Sequence, residues 1–417
     1  MKKPDFEFLG LRRNALVFMT TSLFLGMGNQ ISRAFLDLYA REYLGAPILV
    51  LGLFGTIQGL LRLILVVPIG YWSDIIGHHR KWLMVAGDAI STVAFFIYAI
   101  AGNWVWLIPG IFLETGYNIT IPVGNAIIFD SINPEKRGLA MATRSLTTML
   151  PSTFVPILAG LYLDSVGMAA GMPLLFIIGG LFRVVGTLGR ALFIKEQKMD
   201  FNAKALTSSD TRVTGGKITK MVSEMLGPVI STKMLQIMVV ISAIGAIGIS
   251  VTSRLQAIYA TEVIGLNTAE WGLVVGMAQT VGAILRIPLG KLADIFGRRK
   301  CILIDYIVRP VYFLGFAYSQ SFWQVFLVNT LHDLSGEAGA PAWQAMIIDI
   351  TPRGSRGRVN GVFSMVSALT ATIFPSLGAF LWVTYGPIWA YVMCSAGEAL
   401  GVLLIYFFLK EPEHREK

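Results

Sequence analysis

Two stretches of this chain repeat one another 220 residues apart. Residues 68–81 read PIGYWSDIIGHHRK and residues 288–300 read PLGKLADIFGRRK, which aligns Pro68 with Pro288, Gly70 with Gly290, Asp74 with Asp294 and Gly77 with Gly297. The match continues on both sides. LYAREYLG at 38–45 corresponds to IYATEVIG at 258–265 at the same offset. PVGNAIIFD at 122–130 corresponds to PAWQAMIID at 341–349, and VPILAG at 155–160 to FPSLGA at 374–379, both at an offset of 219. Losing one residue over that distance means that a single structural unit occurs twice.

The chain that carries this repeat is unusually apolar. Of its 417 residues 54% are hydrophobic and 14% charged, with a mean hydropathy of +0.65, where a soluble protein carries roughly 25% charged residues. The apolar residues fall into runs of bilayer-spanning length. Twelve spans are predicted, at about 15–44, 47–73, 80–101, 104–131, 138–165, 168–194, 234–264, 268–293, 299–319, 322–350, 356–384 and 387–410. The fold class expected is an all-α membrane protein of two six-helix bundles, 1–194 and 234–417, joined by a polar linker, 195–233.

Net charge is +9, and its distribution argues against a polyanion partner. Of 34 Lys and Arg, 25 fall at the N-terminus, at the even-to-odd connections and at the C-terminus, while Gly102-Asn103 and Ser319-Gln320-Ser321 on the opposite side hold none. The positive-inside rule then places both termini in the cytoplasm, in a cell (inner) membrane, and makes both bundles begin on the same side. The first run is too long for a signal-peptide core and lacks a small-x-small cleavage site, so it is expected to be retained. Cys301 and Cys394 have neither disulfide nor metal-site spacing and read as apolar fillers. The linker carries Lys195, Lys198, Lys204, Arg212, Lys217 and Lys220 around a Ser/Thr/Gly-rich middle, as a flexible tether would. A docking segment, or a short amphipathic helix near 217–227, are the other readings.

The pattern G-x-x-x-D-x-x-G before a basic cluster, present as Gly70-Asp74-Gly77 and as Gly290-Asp294-Gly297-Arg298, resembles motif A of the major facilitator superfamily. Twelve spans, two parallel halves and a polar middle loop are similar to that family over the whole chain. The resemblance implies that each motif Asp faces a helix N-terminus of the opposite half, where free backbone N–H groups favour an anion, near 356 for Asp74 and near 138 for Asp294. Such contacts close a cytoplasmic gate. Asp130 with Arg137, and Asp349 with Arg356, recur in DSINPEKRG and DITPRGSRG and are expected to join the same network or to cap helix ends. VPILAG and FPSLGA resemble the family's antiporter motif without its first glycine, and the Arg of many efflux members early in helix 4 is absent, with Phe112 in that neighbourhood.

Ionisable groups inside a bilayer are costly and face a cavity or one another. Nine arginines lie within the predicted spans: Arg33, Arg41, Arg62, Arg144, Arg183, Arg190, Arg254, Arg286 and Arg309. Arg41, Arg190 and Arg286 are near span ends and can snorkel. Glu114, Asn118, Pro122 and Asn125 form one helical stripe, repeated by Asp333, Glu337, Pro341 and Gln344. Asn29, Arg33 and Asp37 line one face of the first span, and Arg254 holds nearly the place of Arg33 in the seventh. The resemblance implies that spans 1, 4, 7 and 10 line a central cavity, so Asn29, Arg33, Asp37, Asn118, Asn125, Arg254 and Gln344 are substrate-cavity candidates, and Arg144 of the fifth span joins them.

At about 1.5 Å per residue, Arg33 matches Glu114 in depth and Arg254 matches Asp333. Two pairs, Arg33–Glu114 and Arg254–Asp333, are therefore expected, either structural or functional. Glu337, whose counterpart is the neutral Asn118, leads the proton-coupling candidates, followed by Asp333, Glu114 and His332. Asp88, Asp305 and Glu398 read as inter-helix hydrogen-bonding groups. The function expected is proton-coupled efflux of a small amphipathic or drug-like compound by rocker-switch alternating access. The alternatives are a uniporter or symporter for an organic anion and a non-transporting membrane sensor. Protons, a small molecule and the lipid bilayer are the expected partners, with no nucleic acid, no cofactor, no metal and no enzyme activity, and the chain is expected to be a monomer.

Overall fold

A computed structural model describes residues 7–8, 11–75, 80–118, 120, 124, 131–132, 137–195, 223 and 225–411. Gly77, Asn125 and Asp130 lie outside the described residues, as does most of the 195–233 linker, and only the backbone is described at Gly70, Asp74, Arg137, Gly290 and Asp294. Twelve principal helices run in order: α1 (Arg13–Leu38), α2 (Ile48–Ile75), α3 (Arg80–Ala99), α4 (Leu107–Glu114), α5 (Arg137–Val166), α6 (Met168–Phe193), α7 (Lys233–Thr252), α8 (Thr268–Phe296), α9 (Arg298–Ala317), α10 (Phe322–Ile350), α11 (Arg356–Tyr385) and α12 (Pro387–Phe408). α4 ends at a turn over Thr115–Gly116, and the residues after Asn118 are described only in part. A two-residue antiparallel pairing, Glu7–Phe8 with Leu11–Arg12, leaves the all-α class unchanged.

Among the described residues seven helices, α2, α3, α5, α6, α7, α11 and α12, carry windows long and apolar enough to cross a bilayer singly. By contrast, α1, α8, α9 and α10 carry the charged stripes. Several of those charges pair with one another, as Arg286 of α8 does with Glu337 of α10 and Arg309 with Asp305 within α9. The pattern is plainest in α6. One face buries Gly179, Gly180, Arg183, Gly186, Thr187 and Arg190, while Leu174, Leu181, Val185, Leu188 and Leu192 are exposed. Small residues admit close neighbours and the large apolar ones meet lipid.

By its internal contacts the chain forms two compact units, Met1–Met199 with Arg254–Thr280, and Asp200–Ser253 with Val281–Lys417. In the first, α6 packs on α1 and α3, α1 also packs on α5, and α3 on α4. Asn14 ties the start of α1 to the end of α6 by exchanging hydrogen bonds with the Lys195 backbone at 2.7 and 3.0 Å. In the second, α9 packs on α10 and α12, and α7 on α11 and α12. An apolar cluster of this unit contains Leu235, Met238, Tyr306, Met346 and Val362, and the helical segment 225–231 joins it through Met225, Leu226 and Val229.

The repeat seen in the sequence is a repeat of backbone conformation. Tyr39–Tyr43 and Tyr259–Val263 are both π-helical turns. Each is closed by the same bonds, Leu44 N–H to Tyr39 O and Ala46 N–H to Ala40 O in one copy, Ile264 to Tyr259 and Leu266 to Ala260 in the other. A glycine with positive φ follows each, Gly45 at 69° and Gly265 at 85°. Only glycine takes that conformation without strain. Gly167 at 87° and Gly386 at 106° form a second such pair, between α5 and α6 and between α11 and α12.

Candidate functional site

The first unit holds a charge cluster where α1 ends. Arg254 Nη1 donates to both oxygens of Asp37, at 3.0 and 3.2 Å, and its Nη2 donates to Gln58 of α2. Both charged side chains are largely buried, at 14% and 13% exposure. Arg254 gets there because α7 breaks at Thr252, and the turn before Gln256–Ile258 redirects the chain. Beyond it the two π-turns meet reciprocally. Arg41 of one bonds Glu262 of the other at 2.7 Å, and Glu42 of the first shares a hydrogen bond with Thr261 of the second. Trp271 adds an indole N–H to the Ala34 carbonyl at 3.2 Å. Glu42, Asp164, Thr261, Glu262 and Asn267 line an open cleft of ≈ 390 Å³ beside this contact.

Deeper in the same unit, α6 buries two arginines completely. Arg190 bonds Asp88 of α3 at 2.7 Å and the hydroxyls of Thr21 and Ser22 of α1, with its guanidinium 4.2 Å from the Phe18 ring centre. Arg183 donates to Asn29 and to Ser91 and lies between the Phe95 and Tyr117 rings, at 4.9 and 5.7 Å. Glu114 accepts from the Tyr98 hydroxyl at 2.8 Å.

In the second unit Arg286 of α8 grips Glu337 of α10 with two hydrogen bonds of 2.7 Å, its side chain 43% exposed and that of Glu337 21%. One turn earlier on α10, His332 stacks on Tyr312 at 4.3 Å, with Nδ1 3.6 Å from Asp333 Oδ1. Behind them α9 supplies an Asp305–Arg309 pair at 2.7 Å, and the Ser335 hydroxyl donates to the other Asp305 oxygen at 3.1 Å. At the opposite end of these helices, Arg298 pairs with Asp349 and bonds the Ala345 carbonyl at 3.0 Å. The backbone N–H groups of Arg298 and Arg299, at the start of α9, hold the Glu411 carboxylate at 3.0 Å each. Arg356 reaches the Ile348 carbonyl at 3.3 Å.

Among the described residues neither expected arginine–acid pair forms. Arg33 is exposed and Glu114 turns to Tyr98. Arg254 takes Asp37, and Asp333 neighbours His332. Glu337 has a partner after all, because Arg286 reaches along α8 instead of snorkelling to the interface. Arg190 likewise does not snorkel but is 1% exposed in the bundle. Asn29 joins Arg183, while Gln344 is exposed and Asn118 and Arg144 are half-buried. Sequence reasoning passed over Arg183, Arg190 and Asp88 as functional neighbours. The available signal was two arginines among glycines on α6, with an acid on α3.

A sequence profile of the Major Facilitator Superfamily matches residues 18–308 and 238–417. The chain belongs to the Major Facilitator Superfamily. It is 26% identical over 325 residues to a multi-drug resistance efflux pump PmrA homolog of Lactococcus lactis, covering 76% of this chain and 74% of that protein. It is 24% identical over 327 residues to the multidrug resistance protein MdtG of Enterobacter lignolyticus, covering 76% and 72%. Among solved structures, a POT family transporter in complex with 5-aminolevulinic acid superposes with a TM-score of 0.75 over 97% of this chain and 98% of that one, at 13% identity, a likeness of fold. As a member of the superfamily the chain is an integral, multi-pass membrane transporter for a small molecule.

Proposed function

We propose that this transporter exports a small amphipathic compound in exchange for protons by rocker-switch alternating access. The bundles 1–194 and 234–417 move about the 195–233 linker, both termini are cytoplasmic, and a monomer is sufficient. The observation that carries the reading is the Arg286–Glu337 pair. It sets a carboxylate on the α10 stripe, partly exposed and held by one arginine that is itself 43% exposed. Protonating Glu337 cancels that attraction, so one proton changes which groups the stripe offers a substrate. The efflux relatives support the direction of transport, and the reciprocal π-turn contact suits an extracytoplasmic gate. Arg298 with Asp349 suits the cytoplasmic one.

Inverted membrane vesicles loaded with a pH-gradient dye test this. Lipophilic cations, neutral amphiphiles and organic anions are presented to the wild-type and Glu337→Gln proteins. A compound that collapses the gradient in the wild type and fails to do so in the variant is the expected result. A second reading, facilitated transport of an organic anion, is favoured by Arg33, an exposed cation on α1 for which no side-chain partner occurs among the described residues. Under that reading labelled anions equilibrate without proton movement, and Arg33→Gln abolishes the flux.

A further inference from the structure

We infer that Glu398 of α12 is the proton-binding site of the second unit, the carboxyl on which the coupled proton rests during transport. The inference builds on the proton-coupled reading and moves its chemistry from the exposed α10 stripe to a buried centre behind it. Glu398 is 1% exposed, and neither of its oxygens has a hydrogen-bond partner. A carboxylate without donors in a bilayer-spanning bundle is the form least tolerated there, whereas the neutral acid needs far less solvation.

The groups that face it account for the charge. From α9 come Asp305, Tyr306 and Arg309. From α10 comes His332, close enough to act on Glu398 electrostatically. From α7 come Gly245 and Gly248, and α7 and α11 bear charges only in their first turns, at Lys233, Arg356 and Arg358. The one arginine is already committed. Its Nη2 holds Asp305 at 2.7 Å, and its guanidinium lies 4.2 Å from the Tyr306 ring centre. Asp305 completes its shell with Ser335 at 3.1 Å and is thereby satisfied as an anion. Asp305, Arg309 and an ionised Glu398 sum to one uncompensated negative charge, which one proton removes.

The pocket is also shaped to keep that carboxyl. A Cβ at Gly248 would stand 2.9 Å from Glu398 Oε1, and one at Gly245 would stand 2.7 Å from Arg309 Nη1. The glycine wall of α7 therefore leaves room for the acid and the guanidinium together. His332, half-buried and 3.6 Å from Asp333, faces this centre from the α10 side. A proton taken up on a Glu398 carboxylate oxygen leaves the acid neutral, and its release restores the carboxylate.

Infrared difference spectroscopy of the full chain in phosphatidylcholine liposomes, titrated with pH in H2O and D2O, reads the carbonyl stretch of a protonated, buried carboxyl group. The band is expected in the wild type and in Glu337→Gln and absent in Glu398→Gln, a neutral isostere that should keep wild-type thermal stability. Persistence of the band in Glu398→Gln overturns the assignment, as does a wild type with no such band at any pH. In the vesicle assay Glu398→Gln should bind a transported compound and move no protons, and Glu398→Asp should restore part of the movement. Undiminished proton movement in Glu398→Gln overturns the coupling role. If the wild type moves no protons with any compound, the proton-coupled reading and the coupling role fail together, while the infrared band still identifies the buried acid.

Discussion

Replacing Asp37 with Asn should be among the most damaging single-atom exchanges in the first unit. It leaves Arg254 at 14% exposure with no hydrogen-bonded carboxylate, since its remaining hydrogen-bond partner, Gln58, carries no charge. Removing one member of a buried ion pair costs about 3–5 kcal/mol, because the other charge stays desolvated. At about 2–4 °C of melting temperature per kcal/mol for a unit of this size, the transition should fall by at least about 6 °C. The neighbouring Arg41–Glu262 pair provides the control. Its side chains are 34% and 35% exposed, and pairs in such surroundings contribute roughly 0.2–1 kcal/mol. Glu262→Gln should therefore shift the transition by no more than about 4 °C. Thermal unfolding of detergent-purified protein followed by tryptophan fluorescence reads both. The double variant Asp37→Asn/Arg254→Met should recover much of the loss, since it removes the stranded charge. An Asp37→Asn transition matching that of Glu262→Gln, or a double variant as poor as the two single losses added together, would refute the reasoning.

Two other substitutions probe separate parts of the fold. Gly272→Ala on α8 should cost about 1–3 kcal/mol by overpacking, because its Cβ would stand 2.3 Å from the Pro156 carbonyl oxygen of α5; Gly102→Ala, in open space, should leave the thermal transition where it is. Asp88→Asn strips the carboxylate from Arg190, which is 1% exposed, so a loss of about 3–5 kcal/mol is expected. It should appear as a collapse of the monodisperse peak in size-exclusion chromatography.

The sequence repeat carried a large part of the architecture. Aligning LYAREYLG with IYATEVIG anticipated two equivalent structures, and they prove to be matched π-turns ending in left-handed glycines. The same alignment gives α5 and α11 ends at a constant offset, 137–166 against 356–385. VPILAG, read as a place of tight packing, does bring Gly160 against Gly272. Side-chain partners were legible only in part. Depth along a straight helix matched Arg254 to Asp333, but α7 is broken at Thr252, and the turn that follows carries Arg254 to Asp37. Depth also matched Arg33 to Glu114, yet azimuth about the helix axis decides such pairs, and it leaves Arg33 exposed. Arg286 was discounted because an arginine near a span end can snorkel. A bidentate carboxylate within reach outweighs that option.

What the duplication has not preserved is a set of deeply buried charges. By the repeat offsets Asp88 aligns with Val308, Arg183 with Val402, Arg190 with Leu409, and Glu398 with Gly179. No buried ionisable group among these four is repeated in the other copy, although the turns that frame them are. In the first unit the glycine at 179 lets α6 approach Gly28 of α1, with a Cβ there only 3.2 Å from the Gly28 Cα, and Arg190 and Asp88 neutralise each other one to one. In the second unit a glutamate occupies that register, and the local arginine is already spent on Asp305. An ancestral pair of identical bundles would have placed the same groups in both halves and gained no directional chemistry from them. Divergence at these few positions lets one copy hold its buried charges fixed while the other keeps a carboxyl that one proton can switch. This asymmetry is what a symmetric scaffold needs if proton binding is to act on one half at a time.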